Sequence, residues 1–339
     1  MISSSASSNS VADTSTANPK TTSNISKIYK VIAATSSQIT YQEVLPNIIG
    51  VEKTLSKSVD DYGDTYYYRG KVVDNYVNFA GMCWRIVRIA GDGSIKLILE
   101  DQNTICDSSN YTGNWNLGDT YFGYDNSIYS GKNIENYLGS VANNSLVNKF
   151  KTFQTSKLSN YLDKLKPGGW CYDDTAYASS TSTSGTSLTE EEKKNYYNGT
   201  ISGNFYYDAY VRLVGQSIKT PTNKCNGRIL NKYSDNTDMY VGTLTADETV
   251  YAGVKYSSYN YGYYLFNEYQ RINSKHWWVL SPYDWSGTNS RSFRLFFFGY
   301  LYDFSSVSNS SGSRPSIQLK STVGLNGGDG TIGNPYIVE

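Results

Sequence analysis

The chain has 339 residues, enough to bury a large core in one elaborated domain or in two. Its 30 basic and 30 acidic residues balance to zero net charge, which removes the attraction on which nucleic-acid binding depends. No apolar run is long enough for a transmembrane helix, so we expect no membrane insertion. Tyrosine is frequent, with 33 residues against 11 phenylalanines, and a Tyr-rich β protein can expose many of these amphipathic rings.

The N-terminal part predicts a tail followed by a short segment. Residues 1–25 are rich in Ser, Thr, Asn and Ala and lack the large apolar groups that offset the entropy of ordering, which predicts a disordered tail or stalk. Residues 26–60 form an N-terminal segment in which 28–32 is typical of a strand. No export signal is visible at the start, so we expect trimming, an engineered start or delivery on a phage particle.

From residue 66 the pattern predicts short paired strands. Residues 71–79 predict a hairpin whose tight turn falls at Asp74 and Asn75. Residues 83–100 predict a second hairpin, with its turn at the Gly-Asp-Gly sequence of residues 91–93.

Helices are predicted at three places. Residues 145–165 carry apolar side chains at three- and four-residue steps, and Pro167 ends the pattern. Capping boxes at residues 189–192 and 245–248 predict two further short helices. Many short strands with one or two main helices and long loops predict the α+β class.

The four cysteines predict disulfides and an oxidising environment. Cys83, Cys106, Cys171 and Cys225 are even in number and widely spaced, without a C-x-x-C pair. We favour the pairing Cys83–Cys106 and Cys171–Cys225, in which each bridge closes a loop local to its half of the chain. The alternative is four free buried thiols in a cytosolic protein. No metal site is expected, because the chain has one histidine and lacks the spacing of a metal cluster.

The stretch from residue 276 to 320 has strand-like ends and an unusual middle. The first end is Trp277, Trp278, Val279 and Leu280, and the second places Ile317 and Leu319 two residues apart, so we expect both ends to be buried strands. The middle mixes Tyr, Phe, Arg, Asp, Asn, Ser and Gly, and residues 276–317 contain no Lys, Gln, Glu or Met. This composition is typical of a paratope.

Alternation within that middle predicts which side chains face water. Arginine is almost never fully buried unless it is paired, so Arg294 should face solvent and Phe293 and Leu295 should point inward. Phe296 then shares the solvent side with Arg294, and Gly299 marks a turn. The alternative is that the aromatic residues are simply the core of a Tyr-rich domain.

Three features of this stretch together resemble a known module. They are the WW-x-LSP sequence that opens it at 277–282, the Gly-Ser-Arg-Pro-Ser-Ile-Gln-Leu sequence that closes it at 312–319, and the mixed middle. That module is the C-type-lectin-like module of Gram-positive bacterial surface proteins and of the variable proteins of diversity-generating retroelements. Adenine-directed mutagenesis in those systems yields Tyr, Phe, Ser, Asp, Arg, Leu and Gly, but never Lys, Gln, Glu, Met or Trp. The resemblance therefore implies that tryptophans in this stretch are scaffold positions. Upstream it extends over residues 244–248, 251–253 and 79–88, and downstream over residues 327–331 and 334–336.

The resemblance implies a C-type-lectin-like domain, similar to that of formylglycine-generating enzymes, over residues 61–339 with a variable binding region at 276–320. It implies a surface-displayed protein that binds a protein or glycan on another cell, host or phage surface, without a cofactor. We expect an extracellular or cell-surface location, or a phage particle. The binding face is expected to be one contiguous exposed patch of Tyr283, Asp284, Arg291, Arg294, Phe296, Phe298, Tyr300, Tyr302, Asp303 and Phe304.

Other functions are less well supported by the sequence. A lone histidine at the start of a strand, here His276, is more often structural than catalytic, so we expect no catalytic residues and no enzyme. A sulfatase-modifying activity would need reactive cysteines in the C-terminal part, yet none follows Cys225. A lectin calcium site is not expected, because Pro282 lies between Ser281 and Tyr283 rather than within the familiar acidic motif. The remaining alternative is a structural or pilus-type subunit without a dedicated binding face.

Overall fold

The computed structural model describes residues 28–34, 38–45, 48–122, 145–233, 235–307 and 309–338, with side chains from residue 55 onward except those of 303, 304, 325 and 326. The predicted tail at residues 1–25 lies outside the described residues. Strands dominate this part of the chain and the helices are short, which is compatible with the predicted α+β class. No helix within these ranges is both long and apolar enough to cross a membrane.

The strands, numbered in chain order, are β1 (Ile28–Ala34), β2 (Gln38–Leu45), β3 (Ile48–Asp60), β4 (Gly63–Tyr67), β5 (Tyr76–Phe79), β6 (Met82–Ile89), β7 (Ile95–Asp101), β8 (Asp119–Tyr121), β9 (Trp170–Tyr172), β10 (Ala176–Tyr177), β11 (Phe205–Tyr207), β12 (Arg228–Leu230), β13 (Val241–Gly242), β14 (Lys255–Tyr256), β15 (Trp277–Trp285), β16 (Ser290–Leu295), β17 (Tyr300–Ser306), β18 (Ser310–Gly312), β19 (Ser316–Leu319), β20 (Leu325–Asn326) and β21 (Tyr336–Val338). The α-helices are α1 (Leu146–Phe153), α2 (Glu190–Tyr197), α3 (Asp208–Tyr210), α4 (Ala246–Tyr251) and α5 (Glu268–Ile272).

Two sheets contain nearly all of these strands. The large sheet runs in the order β1-β2-β3-β4-β6-β5-β21-β20, and a branch continues from β6 through β7 and β19 to β13. The second sheet runs β10-β11-β15-β16-β17-β14, with β18 joining β15 to β8. Strands β9 and β12 form a separate pair. The N-terminal segment 26–60 therefore supplies β1, β2 and β3 as a continuation of the large sheet.

The predicted hairpin at residues 83–100 is confirmed, since β6 and β7 pair antiparallel. The predicted hairpin at residues 71–79 is wrong, because only its second half is a strand, and that strand, β5, pairs with β6 and β21. Asn75 explains the difference. Its buried amide donates to the carbonyl of Ile86 at 2.7 Å and accepts from Arg85 Nε at 2.7 Å. These bonds hold residues 71–75 as a loop against β6.

The long predicted helix at 145–165 divides into three parts. Ser145 caps α1, which is followed by a π-helical turn at Gln154–Leu158 and a 3₁₀ turn at Ser159–Tyr161. Thr155 and Ser156 contribute to the change, because their hydroxyls donate to carbonyls three and four residues earlier. The predicted apolar stripe is nevertheless buried, including Leu146, Phe150, Phe153 and Leu158. Both predicted capping boxes, at α2 and α4, are confirmed.

One continuous core draws on both sheets. Both predicted strand ends of the 276–320 stretch lie within it, since Trp277, Trp278, Ile317 and Leu319 are fully buried. Strand β19 lies between β7 and β13, which ties the C-terminal part of the chain to the middle of the large sheet. Both favoured disulfides are present, Cys83–Cys106 with a Cα–Cα distance of 4.5 Å and Cys171–Cys225 with one of 5.4 Å.

Arg314 lies where the two sheets meet and is fully buried. Its guanidinium donates to the Glu100 carboxylate at 2.5 Å and to the backbone carbonyl of Leu99 at 2.8 Å. The rings of Trp115 and Trp277 lie 5.4 and 5.5 Å from the guanidinium carbon. The pair thus joins β7 of the large sheet to the segment between β18 and β19.

We predict that Arg314→Met lowers the free energy of unfolding by roughly 3–5 kcal/mol, because it leaves the Glu100 carboxylate buried without its partner. Adding Glu100→Gln should recover part of this loss, since no carboxylate is then buried opposite the missing guanidinium, although Arg85 loses its ion pair with Glu100 at 3.9 Å. Urea unfolding measures both values. Arg271→Ala is the control, because its exposed ion pair with Glu268 should contribute less than about 1 kcal/mol. Equal losses for Arg314→Met and the control would contradict the prediction.

Candidate binding surface

Strands β16 and β17 form an antiparallel hairpin whose turn is at Gly299, as predicted. The Gly299 amide donates to the Phe296 carbonyl at 2.8 Å, and the Phe296 amide donates to the Tyr300 carbonyl at 2.9 Å. Gly299 has φ of +75°, and a Cβ there would lie 1.9 Å from the Asn260 carbonyl oxygen. Only glycine satisfies both conditions, so the turn has a fixed backbone.

A tyrosine-rich loop lies beside this turn. Strand β14 pairs parallel with β17, so that Lys255 is opposite Tyr300, and this pairing carries the loop that follows β14 towards the hairpin. Tyr259 in the loop is 66% exposed. Its ring packs against those of Phe298 at 4.8 Å and Tyr300 at 5.7 Å. The surface around the turn is therefore built from two separate parts of the chain.

Phe296 is the centre of a connected group of rings. Its centroid lies 4.5 Å from those of His276 and Phe297, 5.0 Å from that of Tyr302 and 5.1 Å from that of Tyr300. The hairpin members of this group are half-buried, neither fully covered nor fully exposed. We call the group the aromatic face, and its members are Tyr259, His276, Arg294, Phe296, Phe297, Phe298, Tyr300 and Tyr302.

The structure assembles part of the predicted binding patch and not the rest. Arg294, Phe296, Phe298, Tyr300 and Tyr302 lie together in the aromatic face, as the alternation about Arg294 predicts. Phe293 and Leu295 are fully buried beneath them, also as predicted. The side chains of Asp303 and Phe304 lie outside the described residues.

The prediction that Tyr283 and Asp284 are exposed is wrong. Both lie on β15, a strand flanked by β11 and β16 in which every residue is buried. The Tyr283 ring packs against Phe293 at 4.8 Å, and the Asp284 carboxylate accepts from Arg291 Nε at 2.6 Å. Arg291 lies over the Tyr283 ring and so belongs to this buried group rather than to the aromatic face.

Sequence reasoning missed three members of the aromatic face. Tyr259 lies outside the 276–320 window, although the run of tyrosines at residues 256–264 was a visible signal. A lone histidine at the start of a strand predicts a structural role for His276, and no pattern distinguishes Phe297 within its run of three phenylalanines. The parallel pairing of β14 with β17 decides the position of Tyr259, and parallel pairing has no short-range sequence signal.

Arg294 and His276 of the aromatic face form no ion pair with any described side chain. Arg294 donates to the Ser311 hydroxyl at 3.2 Å, while its Nε is buried without a hydrogen-bond partner in the described part of the chain. Burial lowers the pKa of Arg294. Burial and the nearby Arg294 charge lower the pKa of His276 to about 4, and its Nδ1 is also without a partner there. His276 is therefore neutral at pH 7, and Arg294 supplies the positive charge.

A charged cleft lies elsewhere, beside the Cys171–Cys225 disulfide, and has a cavity volume of about 40 Å³. In its wall Glu248 accepts from Lys96 at 2.6 Å and from Arg88 at 3.1 Å. Burial opposes ionisation of this carboxyl, but the two cations lower its pKa to about 2. Within the ranges the structure describes, no group of three or more potential ligands is arranged to hold a metal.

Asp173 is the most perturbed carboxyl of the charged cleft. Burial raises its pKa to about 7, with Asp208 adding to the shift and Arg212 opposing it. Arg212 Nη2 donates to Asp173 at 2.7 Å and to Asp247 at 2.9 Å. A carboxyl that titrates near neutrality is a candidate for acid–base chemistry. The chain's one histidine, however, belongs to the aromatic face, so a serine–histidine or cysteine–histidine pair cannot form in this cleft.

Comparisons with protein-family models, with curated proteins and with solved structures gave no match.

We predict that the imidazole of His276 titrates with a pKa of about 4, because burial against Phe296 disfavours the charged form. Phe296→Ala should move this pKa up towards 6.5, since removing the ring exposes the imidazole. Proton NMR gives the value directly, because the chain has a single histidine.

The chain unfolded in urea is the internal reference, and its imidazole should titrate near 6.5, the ordinary pKa of a solvent-exposed histidine. A folded-state pKa equal to that of the unfolded chain would show that the imidazole is not covered.

Proposed function

We propose that this chain is a surface-displayed ligand-binding protein with a C-type-lectin-like fold, and that the aromatic face is its binding site for a protein or glycan partner. The observation that carries the proposal is the cluster around Phe296, in which half-buried rings and one arginine share a connected surface. Aromatic residues and arginine are the types enriched among residues that dominate binding energy. Apolar surface of this kind costs solubility and normally marks an interaction site.

The division between scaffold and surface supports the proposal. Strand β15 is buried along its whole length, and the turn at Gly299 is fixed by backbone hydrogen bonds rather than by the ring side chains. A backbone fixed in this way tolerates changes in the side chains above it. This arrangement suits a region that varies in sequence, which is what the resemblance to variable proteins of diversity-generating retroelements implies for residues 276–320.

Two disulfides support the proposed location. Disulfides persist in oxidising environments, as in secreted and surface proteins, and are rare in the cytosol. We therefore propose an extracellular or cell-surface location, or a phage particle.

A second candidate function, an enzyme that uses the charged cleft, is favoured by the pKa of Asp173 near 7. Against it, the carboxylates and cations of the cleft are paired with one another, as in the bonds of Arg212 to Asp173 and of Arg88 to Asp60. Structural ion-pair networks perturb pKa values in the same way as active sites. We therefore propose that the protein is not an enzyme.

We predict that Phe296→Ala and Tyr300→Ala each weaken partner binding by roughly 1–3 kcal/mol, as for interface anchors, with little change in melting temperature. Binders for the measurement come from a random peptide library and a glycan array screened with the unmodified protein. Affinities by calorimetry and melting temperatures by circular dichroism are then compared for each variant.

Trp278→Ala is the matched control, because this fully buried ring should cost about 3–5 kcal/mol of stability. If the Phe296 and Tyr300 variants unfold as readily as the Trp278 variant, the rings are core and the chain is better described as a structural subunit. If they fold normally and bind unchanged, the aromatic face is not the binding site.

A further inference from the structure

Arg294 differs from the other arginines in how its charge is balanced. Among the described side chains, no carboxylate lies within ion-pairing distance of it. Arg69 likewise has no carboxylate partner among the described side chains, but it is exposed and donates to two backbone carbonyls at the end of α4. The remaining buried or half-buried arginines each lie within 4.0 Å of a carboxylate, and they are Arg85, Arg88, Arg212, Arg228, Arg291 and Arg314.

The surroundings of Arg294 make it costly that no described carboxylate balances its charge. Its guanidinium carbon lies 5.5 Å from the Tyr302 ring centroid and 5.9 Å from that of Phe296, so the rings exclude water from part of it. A charge that loses water without gaining a counter-ion is destabilising. His276 stacks on the same Phe296 ring and is neutral, so it neither balances nor competes with this charge.

We infer that the partner is a protein that places an Asp or Glu carboxylate against Arg294 while an adjacent apolar side chain packs on Phe296 and Tyr302. The inference rests on the proposed function, because it specifies what the aromatic face recognises. A planar guanidinium donates two parallel hydrogen bonds to a carboxylate, which suits one acidic side chain.

The polar groups of the aromatic face favour a protein over a glycan. Its members include no carboxylate and no side-chain amide, and its hydrogen-bonding groups are the tyrosine hydroxyls, one imidazole and one guanidinium. A sugar presents many hydroxyls that each need a partner when water is removed, whereas an acidic residue beside an apolar one needs a single cation and a ring surface.

The test selects peptides from a displayed random library of twelve-residue sequences against the unmodified protein and against Arg294→Ala. We expect the unmodified protein to enrich peptides with Asp or Glu within three positions of an aromatic or aliphatic residue. Peptides selected for binding to Arg294→Ala should still be enriched in the aromatic or aliphatic residue but no longer in the acidic one. Arg271→Ala, which removes an equally charged but exposed side chain, should select the same peptides as the unmodified protein.

A double-mutant cycle on one selected peptide gives the decisive measurement. Changing its acidic residue to the amide and changing Arg294 to Ala should each weaken binding roughly 10- to 100-fold, as for a charge-assisted hydrogen-bonded pair. Both changes together should weaken binding no more than either alone. Arg294→Lys should restore less than half of the lost affinity on a logarithmic scale, since lysine keeps the charge but not the planar fork.

Four results would overturn the inference: selected peptides without acidic residues, additive effects in the cycle, no selectable peptide, or stronger binding to acidic glycans than to any selected peptide. The result for Phe296→Ala separates this inference from the proposed function. If Phe296→Ala weakens binding and Arg294→Ala does not, only the inference fails. If neither variant weakens binding, both fail.

Discussion

Arg314 places a positive charge at a fully buried position. The packing of the two sheets against each other depends on the groups that pair with this charge. The Arg314 guanidinium donates a hydrogen bond to Glu100 of β7 and lies beside Trp277 at the start of β15. A buried pair of this kind adds little net stability over an apolar replacement, but either half alone is strongly destabilising. We infer that its main effect is on specificity, because strand arrangements that separate Glu100 from Arg314 would leave two buried charges unmatched.

The same electrostatic constraint distinguishes the surface regions of the molecule. In the charged cleft, cations and carboxylates face one another, so Arg212 meets Asp173 and Lys96 meets Glu248. In the aromatic face the single arginine meets rings and a hydroxyl. In the second of these regions, no carboxylate among the described side chains lies within ion-pairing distance of the arginine.

Local patterns in the sequence predicted local structure well. Capping boxes placed α2 and α4, alternation about Arg294 separated inward from outward side chains, and cysteine spacing indicated both disulfides. Each of these signals depends on residues close together in sequence or on a small number of pairings. The α+β class followed from the same local patterns.

Features set by distant contacts were not predictable in this way. Tyr283 and Asp284 have the composition of an exposed site, and only the strands that flank β15 show that they are covered. Residues 71–75 look like a strand but are held as a loop by the buried Asn75 amide. Tyr259 joins the aromatic face through a parallel strand pairing. In each case the deciding partner lies on a different strand rather than beside the residue in sequence.

The pairing of β14 with β17 has a consequence for transplanting this surface onto another scaffold. A graft of the hairpin alone would carry Phe296, Phe298 and Tyr300 but leave behind Tyr259, the most exposed ring that packs on them. It would also lose the Asn260 carbonyl, which lies so close to Gly299 that it leaves no room for a Cβ there. The loop that follows β14 and the hairpin are therefore one transferable unit, and sequence change in either part alters the surface presented by the other.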